Sequence, residues 1–447
     1  MRILLVLPAD GTYRYGGFFK RTLSYAPLTL TTLAGLVPKA WGCEIELLDE
    51  GVQHACHDGK FFDVVGITCV ASSSTRAYAL AHHWRHRGAY VVLGGPHPTL
   101  VPEEAAEHAD SVIAGPAEEA WPRVLEAFRE GRPIFGVVRG RPLAKSPYQQ
   151  PRRDLLPGHR YLSIPTVIAT QGCPNSCSFC SVNHIWEQKP IARPVAEVMD
   201  EIRGFASKRI LFLDPNLTAD REYALELFTA LTPLKRTWGG LATLELADDP
   251  ELLKAAERSG CRGLLIGYES VSQAALDASG KSFQQIEKYS NLTARIRESG
   301  ISVLGCFILG FDADRVEDLR RLPDIVDALH IDVPRFAILT PFPGTALHKF
   351  LKEKGRILTD DLRLYDCEHA VYRPALMTPE ELEGLLAEVW RKTYSLKRIA
   401  RRVLKARSDR LLALACNVGL RHYGLNLPQR WDAFQGPATV VKHCQNT

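Results

Sequence analysis

This 447-residue sequence lacks the features that mark membrane, secreted and nucleic-acid-binding proteins. It has no run of eighteen apolar residues, which excludes a helix spanning a membrane. Its first residues, MRILLVLPAD, are too short an apolar run for a signal peptide and are typical of a buried strand. A net charge of +4 gives no argument for a nucleic-acid partner. We therefore expect a cytoplasmic protein of two or three domains.

Disulfide bonds are not expected either, although the chain has eleven cysteines. Thiols stay reduced in the cytosol, so cysteines there are more often ligands or small core residues. Three of them, Cys173, Cys177 and Cys180, fall within eight positions of the stretch ATQGCPNSCSFCSVNHIW. Three thiols cannot all pair with one another, so this cluster predicts a ligand set.

The first 130 residues alternate between short apolar runs and segments with helical spacing. Strands separated by helices predict an open parallel sheet, here Rossmann-like and flavodoxin-like. In such sheets ligands bind at the carboxyl ends of the strands. The loops expected there are 8–17, 68–74, 94–99 and 115–119.

Gly, Ser, Thr and Pro dominate these four loops. Small residues let a large ligand approach the backbone, and helix N-termini supply N–H donors for a phosphate. Plain turns between strands and helices are the alternative interpretation. The dinucleotide fingerprint G-x-G-x-x-G is absent from LPADGTYRYGG, which counts against NAD or FAD.

A second alternating pattern follows a proline-rich stretch at 131–164, which is predicted to be a linker. Residues 165–345 contain six strand–helix repeats, which predict a partial (β/α)6 barrel. Residues 346–447 are predicted to form a helical C-terminal domain. Because barrels of this type carry their chemistry on the loops after the strands, the cysteine loop stands where a site is expected.

The spacing C-x3-C-x2-C allows two kinds of metal site. A structural zinc needs a fourth ligand, which His184 would supply. An iron–sulfur cluster held by three thiolates leaves one iron open for a substrate or cofactor. The position of the loop in the mouth of a barrel favours the open cluster.

The segment CPNSCSFC resembles the signature of radical S-adenosylmethionine (SAM) enzymes, with the aromatic Phe179 before the third cysteine. This resemblance implies that the three thiolates hold a [4Fe–4S] cluster. It also implies that the open iron binds SAM, whose one-electron cleavage yields a 5′-deoxyadenosyl radical.

Three further segments resemble motifs of the same family, and the resemblance extends over residues 165–345. They are LFLDPN, in which Pro215 replaces one of two acids, then GCRGLLIGYES, and CFILGF. The SAM-binding residues that the resemblance implies are Phe179, Asp214, Asn216, Glu269, Ser270 and Gly310.

The segment VVLGGPHPTLVPEEAAEHADSVIAGPAEEAWPRVLEAF is similar to the cobalamin-binding domain of B12-dependent radical SAM enzymes. The D-x-H-x-x-G sequence that supplies a histidine ligand in other cobalamin proteins is absent. The resemblance therefore implies a cobalamin whose dimethylbenzimidazole is off the metal, with no histidine in its place. Gly95 and Gly115 are expected to be needed because a Cβ there would meet the corrin or its tail. The implied cofactor-binding residues are Thr68, Ser72, Ser73, Gly94, Gly95, Pro96, His97, Gly115 and Glu118.

These resemblances imply C-methylation of an unactivated carbon, or a related rearrangement or cyclisation, in lipid, tetrapyrrole or natural-product biosynthesis. The substrate would be a small or lipid-like molecule, and an external one-electron donor such as flavodoxin or ferredoxin would be needed. One alternative is a methylthiotransferase with a second cluster on Cys43, Cys56 and Cys69. The others are a B12-independent radical SAM enzyme and a non-catalytic cobalamin or zinc binder.

The C-terminal region is predicted to be helical and carries nine Lys or Arg residues and one Asp between residues 391 and 410. Thr378 and Glu381 form the pattern of a capping box. Apolar side chains at 396, 399, 403 and 404 fall on one stripe. A peripheral membrane contact or a greasy anionic substrate would use such a stripe. A solvated helix packed on the barrel is the favoured interpretation.

Overall fold

The computed structural model describes residues 1–9, 25–52, 59–141, 150–162, 164–186, 190–407 and 409–427. Its first sheet has six parallel strands in the order β2-β1-β3-β4-β5-β6. The strands are β1 (Arg2–Leu7), β2 (Glu44–Asp49), β3 (Val64–Thr68), β4 (Tyr90–Gly94), β5 (Ser111–Ala114) and β6 (Gly136–Arg139). The helices are α1 (Leu28–Gly35), α2 (Ser74–His86), α3 (Pro96–Leu100), α4 (Pro102–Ala106) and α5 (Ala120–Arg129).

The strand order reverses between β1 and β3, as in flavodoxin-like sheets, so the predicted Rossmann-like sheet is confirmed. Separate apolar cores cover the two faces of the sheet. Strand β3 is therefore buried along its whole length, which explains its unbroken apolar sequence VVGIT. Strand β6 lies within the stretch that the sequence predicts as a linker, and it adds a sixth strand at the edge beside β5.

The second sheet is also parallel, and its order is β14-β13-β12-β11-β10-β7. Its strands, with the small hairpin β8–β9, are β7 (Thr166–Val167), β8 (Thr170–Gln171), β9 (Ile191–Ala192), β10 (Arg209–Phe212), β11 (Thr237–Ala242), β12 (Cys261–Glu269), β13 (Ser302–Leu309) and β14 (Val333–Ile338). Its helices are α6 (Val182–Ile185), α7 (Val195–Arg203), α8 (Arg221–Leu231), α9 (Pro250–Arg258), α10 (Gln273–Ala278), α11 (Tyr289–Glu298), α12 (Val316–Ala328) and α13 (Ala346–Glu353).

Each of the six strands of this second sheet lies next to its successor in the repeat, which confirms the predicted partial barrel. The first strand, β7, has only two residues. The chain then forms the antiparallel hairpin of β8 and β9, which closes the base of the cysteine loop. The barrel mouth, at the carboxyl ends of the strands, therefore carries this loop.

Three helices end the described chain, namely α14 (Pro379–Thr393), α15 (Leu396–Leu404) and α16 (Arg410–Leu425). The capping box predicted for α14 is confirmed, since Glu381 N donates to Thr378 Oγ1 at 3.1 Å and Thr378 N donates to Glu381 Oε2 at 2.8 Å. Trp390 of α14 and Leu420 of α16 are buried in the same apolar core as the barrel strands.

The apolar stripe predicted on α15 is only partly buried. Ile399 is 4% exposed, whereas Leu396 and Leu404 are 69% and 71% exposed. The helix therefore touches the barrel along a narrow line and leaves two leucines in solvent. Among the described residues, no helix is both long and apolar enough to cross a membrane.

Candidate active site

The three clustered cysteines lie on one loop at the mouth of the barrel, between strands β8 and β9. Each of Cys173, Cys177 and Cys180 is partly exposed, and none of them forms a disulfide. Burial raises the pKa of Cys177 to about 11 and also raises the pKa of Cys180. A metal cation bound by Cys177 and Cys180 would favour their thiolate forms against this effect of burial.

This cysteine loop is held by backbone contacts from two other parts of the barrel. Ser178 N donates to the carbonyl of Ser279 at 2.9 Å, and Leu347 N donates to the carbonyl of Ser178 at 3.1 Å. Gly280 has a φ of +75° and passes so close that a Cβ would lie 2.9 Å from the carbonyl oxygen of Ser176. The positions of the thiols are therefore set by tertiary contacts as well as by the hairpin.

Asp214, at the end of β10, holds the base of the cysteine loop. Its Oδ1 accepts from Ala169 N at 3.0 Å and from Thr170 Oγ1 at 2.8 Å, and it also accepts from Thr170 N. The carboxyl is fully buried, its Oδ2 has no hydrogen-bond partner, and burial raises its pKa to about 6. Asp214, predicted to bind the cofactor, therefore has its Oδ1 engaged in positioning the loop.

The remaining predicted SAM-binding residues lie at strand ends around the same mouth. Asn216 Oδ1 accepts from Thr218 N at 3.2 Å and so shapes the turn after β10. Ser270 Oγ accepts from Ser272 N at 3.1 Å. Phe179 packs edge-on against Phe311, with ring centroids 5.9 Å apart. Because these groups are engaged locally, their structural role is to fix the loops that surround the cysteines.

Gly310 ends β13 with a φ of +104°, and a Cβ there would lie 2.5 Å from the hydroxyl oxygen of Tyr372. Its N–H donates to Asp314 Oδ2 at 2.9 Å. The predicted glycine motif is therefore required by packing inside the protein itself.

A buried ion pair near the cysteine loop was not predicted from the sequence. Lys281 Nζ donates to Glu269 Oε1 at 2.8 Å and to the carbonyl of Gly267 at 2.7 Å. Glu269 has a φ of +61°, a strained value for a residue with a side chain, at a bulge between β12 and β13. The positive charge of Lys281 lowers the pKa of Cys177 against the effect of burial.

The donor set of the loop fits an iron–sulfur cluster. Within the described ranges, no three His, Cys, Asp or Glu side chains are gathered closely enough to hold a single metal ion. A [4Fe–4S] cluster instead takes each thiolate on a different iron. His184, the fourth ligand in the zinc interpretation, is exposed on α6.

The first sheet contributes an open cleft of about 1080 Å³ at the carboxyl ends of β3, β4 and β5. This volume includes space that is open to solvent, and the cleft lies where parallel sheets of this kind bind their ligands. One wall is α1, which presents apolar and threonine side chains. Six of the predicted cobalamin-binding residues line the cleft: Thr68, Gly94, Gly95, Pro96, Gly115 and Glu118.

Three residues predicted to bind cobalamin do not line this cleft, namely Ser72, Ser73 and His97. The ring of His97, a residue of α3, is buried, and its Nε2 lies 3.0 Å from the hydroxyl oxygen of Tyr78. Ser73 Oγ exchanges hydrogen bonds with the backbone of Val70. Of the predicted loop 8–17, only residues 8 and 9 fall in the described part of the chain.

The structure gives Gly95 a steric reason that the sequence did not predict. A Cβ there would lie 2.5 Å from Thr68 Oγ1 and 3.0 Å from both N and O of Cys69, so it would strike the protein before any ligand. At Gly115 a Cβ would lie 3.1 Å from the carbonyl oxygen of Gly140. Both glycines have a φ of +98°, which favours glycine regardless of space.

We therefore expect Gly95→Ala to destabilise the first domain by about 3 kcal/mol or more, because backbone strain and overpacking add. Gly94→Ala is the matched control, since its nearest contact would be 3.7 Å from the Ile113 carbonyl oxygen. It should cost less than about 1 kcal/mol. Thermal and urea unfolding of the two variants, without added cofactor, measures the difference. Equal stabilities would contradict the steric argument.

The far wall of the cleft belongs to the second domain and was also missed by the sequence prediction. It consists of Ile168 and Gln171, which precede the cysteines, and Ile185 and Trp186, which follow them. Gln171 Nε2 donates to Glu118 Oε1 at 2.8 Å across the gap. The only signal for these residues was their position next to the cysteine motif. The cleft therefore ends at the cysteine loop, and the two predicted cofactor sites adjoin.

Comparison with known protein families agrees with this two-part site. The model of the B12 binding domain matches residues 20–125, and the model of the radical SAM superfamily matches residues 167–325. The chain belongs to the cobalamin-dependent radical SAM enzymes. Its cofactors are accordingly a [4Fe–4S] cluster, SAM and cobalamin, and the zinc interpretation of the cysteine loop is set aside.

Two curated proteins align with most of the chain. Bacteriochlorophyllide d C-12(1)-methyltransferase of Chlorobaculum tepidum is 28% identical over 388 residues, which cover 84% of each chain. Anaerobic magnesium-protoporphyrin IX monomethyl ester cyclase of Cereibacter sphaeroides is 23% identical over 441 residues, which cover 89% of this chain and 71% of the cyclase.

A solved structure shares the whole fold of this radical SAM enzyme. The radical SAM methyltransferase TsrM of Kitasatospora setae, solved with cobalamin and a [4Fe–4S] cluster bound, superposes with a TM-score of 0.66 and 16% identity. The match covers 97% of this chain and 99% of TsrM. The order of sheet, barrel and C-terminal helices is therefore a known arrangement.

The methylthiotransferase alternative required Cys43, Cys56 and Cys69 to share a second cluster. Cys43 directly precedes β2, whereas Cys69 directly follows β3. Because the strands are parallel, Cys43 lies at the side of the sheet where the strands begin and Cys69 at the side where they end. Cys56 lies outside the described residues. The geometry of Cys43 and Cys69 therefore gives that alternative no support.

Proposed function

We propose that this protein methylates an unactivated carbon of a tetrapyrrole substrate. The observation that carries the proposal is the single cleft whose one wall is the strand ends of the B12 binding domain and whose other wall is the cysteine loop. Methylation at a carbon without a lone pair needs a radical and a methyl source in one place. A shared cleft supplies that proximity.

The residues proposed to hold the cofactors follow from the two walls. Cys173, Cys177 and Cys180 would bind the cluster, with the Lys281–Glu269 pair beside them as polar partners for SAM. Thr68, Gly94, Gly95, Gly115 and Glu118 would bind cobalamin, because they line the cleft. When bound, the cluster with SAM supplies a substrate radical and the cobalamin supplies the methyl group.

The chain's own contribution is to fix the width of the gap and to limit water in it. The hydrogen bond of Gln171 to Glu118 ties the cysteine loop to the first domain. A small apolar core adds a second tie, where Ala71, after β3, packs with Tyr365 and Val371. Ile185 and Trp186 present apolar surface towards the cleft. Domains held at a fixed distance and an apolar cleft would protect a substrate radical from reaction with water.

We propose the same domain limits that the sequence predicts. They are 1–130 for cobalamin, 131–164 for the linker, 165–345 for the barrel and 346–447 for the helical region. The edge strand β6 follows the first limit directly and serves the first sheet.

The tetrapyrrole class is proposed because the bacteriochlorophyllide methyltransferase aligns over 84% of the chain. A flat, largely apolar ring system suits a cleft wall of Ile168, Ile185 and Trp186. A lipid or another natural product remains within the same chemistry. We further propose that the enzyme acts in the cytoplasm and takes its electron from a flavodoxin or ferredoxin.

Ring closure is a second candidate function, and the alignment with the magnesium-protoporphyrin ester cyclase over 89% of the chain favours it. It would use the same cofactor cleft. The two functions differ in whether the product carries a new methyl carbon.

One experiment separates these functions. The full chain, reconstituted anaerobically with iron, sulfide and hydroxocobalamin, is given dithionite and methyl-deuterated SAM. A bacteriochlorophyllide and a magnesium-protoporphyrin ester are supplied as substrates in separate reactions. Methylation predicts labelled product together with 5′-deoxyadenosine. Cyclisation predicts an unlabelled product from a protoporphyrin ester. Turnover by protein that retains no cobalamin under any loading would overturn both in favour of a B12-independent radical SAM enzyme.

A further inference from the structure

Helix α16 is apolar on both of its sides, although only one side faces the protein. Leu420 and Tyr423 are buried in the barrel core, and Gly424 packs against Trp390 of α14. The opposite side, which we call the outer face, consists of large aliphatic residues that are between 40% and 79% exposed: Leu411, Leu412, Leu414, Val418 and Leu425. Helices that are apolar all round are normally buried or in contact with a membrane.

The outer face is almost free of polar side chains. Between residues 411 and 425, the exposed residues are the five aliphatics, Ala415 and His422. Folded monomers seldom leave a contiguous apolar patch of more than a few hundred Å² in water. Such a face therefore indicates an occupant outside the described fold.

Exposed cations border this outer face where α15 turns into α16. Lys405, Arg407 and Arg410 are exposed next to Leu411. Lys397 and Arg401 are exposed on α15 itself. The acid in this stretch, Asp409, accepts from the N–H groups of Leu411 and Leu412 at 3.1 and 3.0 Å as the N-cap of α16.

Leu396 and Leu404 of α15 are exposed as well. Leu404 is followed by Lys405 and Leu396 by Lys397, so each exposed leucine has an exposed cation beside it in the sequence. The two helices are joined by the buried hydrogen bond from Arg402 to Asn417 at 2.6 Å. Their exposed faces thus belong to one rigid unit.

We propose that α15 and the outer face of α16 dock onto an anionic lipid bilayer surface. Aliphatic side chains beside Lys and Arg are the composition of helices that lie in the membrane interface. Anionic headgroups attract each such cation, whereas a second copy of this chain would bring the same cations against each other. This proposal does not depend on the substrate. It replaces the sequence-based expectation of a merely solvated helix.

Co-sedimentation of the full chain with lipid vesicles tests the docking. Vesicles of phosphatidylcholine with an equal amount of phosphatidylglycerol should bind the protein at least about tenfold better than phosphatidylcholine alone. The Arg407→Gln/Arg410→Gln variant should bind about fivefold more weakly for each cation removed. The Leu411→Ser/Leu412→Ser variant should lose binding at least about tenfold, because interfacial binding scales with buried apolar area.

Matched control variants show whether the loss of any exposed leucine or cation weakens vesicle binding. Leu376→Ser removes a leucine that is 54% exposed elsewhere, and Arg132→Gln/Arg139→Gln removes two exposed cations at and near strand β6. Both should bind vesicles like the wild type. Circular dichroism and iron content should be the same in all variants.

Three results would overturn the proposal. The first is a full chain that does not bind anionic vesicles. The second is equal binding by the wild type and the Leu411→Ser/Leu412→Ser variant. The third is a dimer, seen by sedimentation equilibrium, that this variant converts to a monomer, since that would assign the face to a second copy.

Discussion

We expect Cys177→Ala to abolish the cleavage of SAM. In the proposed site three thiolates hold the cluster, and the loop offers no replacement for one of them, because the neighbouring side chains of Ser176 and Ser178 are poor iron ligands. Loss of a partner in the outer shell of a metal site already costs 10–100-fold, so loss of a ligand should cost at least about a hundredfold. The yield of 5′-deoxyadenosine after anaerobic reconstitution with dithionite measures the effect.

Cys261→Ala is the matched control for this variant. Cys261 is fully buried, and it begins β12 at the end of the barrel that lies away from the cysteine loop. The variant should keep about four irons per chain and normal SAM cleavage, and lose about 1 kcal/mol of stability through the small cavity. Cys306→Ala and Cys367→Ala should also retain the cluster. Cleavage by Cys177→Ala at the rate of Cys261→Ala would remove the cluster assignment.

Replacing Asp214 by alanine should destabilise the barrel and loosen the cysteine loop. The side chain accepts from Ala169 N, Thr170 N and Thr170 Oγ1, all of them at the base of that loop. Two buried N–H groups and a hydroxyl would lose their acceptor, which should cost about 3 kcal/mol in total. Thermal unfolding measures the stability, and iron content after reconstitution measures the loop.

Asp214→Asn separates the hydrogen bonds from the charge. The amide oxygen can keep the bonds that Oδ1 accepts, so the variant should load iron like the wild type. Burial holds the pKa of Asp214 at about 6, above its unfolded value, so the wild type loses stability as the pH rises from about 4 to about 6. The asparagine variant should not show this loss. Identical pH profiles, or equal iron loss in both variants, would contradict the role given to Asp214.

The parts of this protein that the sequence predicted correctly depend on contacts between near neighbours. The alternation of apolar runs and helical segments predicted a parallel sheet followed by a six-stranded partial barrel, because burial on both faces makes parallel strands continuously apolar. The spacing of Cys173, Cys177 and Cys180 predicted a ligand set, because three thiols lie within eight residues of one loop. The resemblance of this loop to the radical SAM signature implied the [4Fe–4S] cluster, which agrees with the family match. The capping box of Thr378 and Glu381 is likewise a contact over three residues.

Strand β6 and the roles of the predicted site residues needed the tertiary structure. The sequence of β6, GVVR, is too short to stand out, and it becomes a strand because β5 offers an unpaired edge. Asp214 was assigned to the cofactor, but its Oδ1 accepts hydrogen bonds from Ala169 and Thr170 at the hairpin base, 44 and 45 residues earlier in the chain. Gly95 was assigned to the corrin, but the atoms that require a glycine there belong to Thr68 and Cys69.

The sequence by itself determined which cofactor chemistry the chain carries, since the ligands of the cluster are local. Only the tertiary structure decided what surrounds that chemistry. Gln171 contacts Glu118, and Lys281 contacts Glu269, through the packing of separate elements. No periodic pattern in the sequence predicts these two contacts. The same holds for α16, whose apolar sequence predicts burial on every side. Only the packing on α14 and the barrel shows which of its faces stays open to a partner.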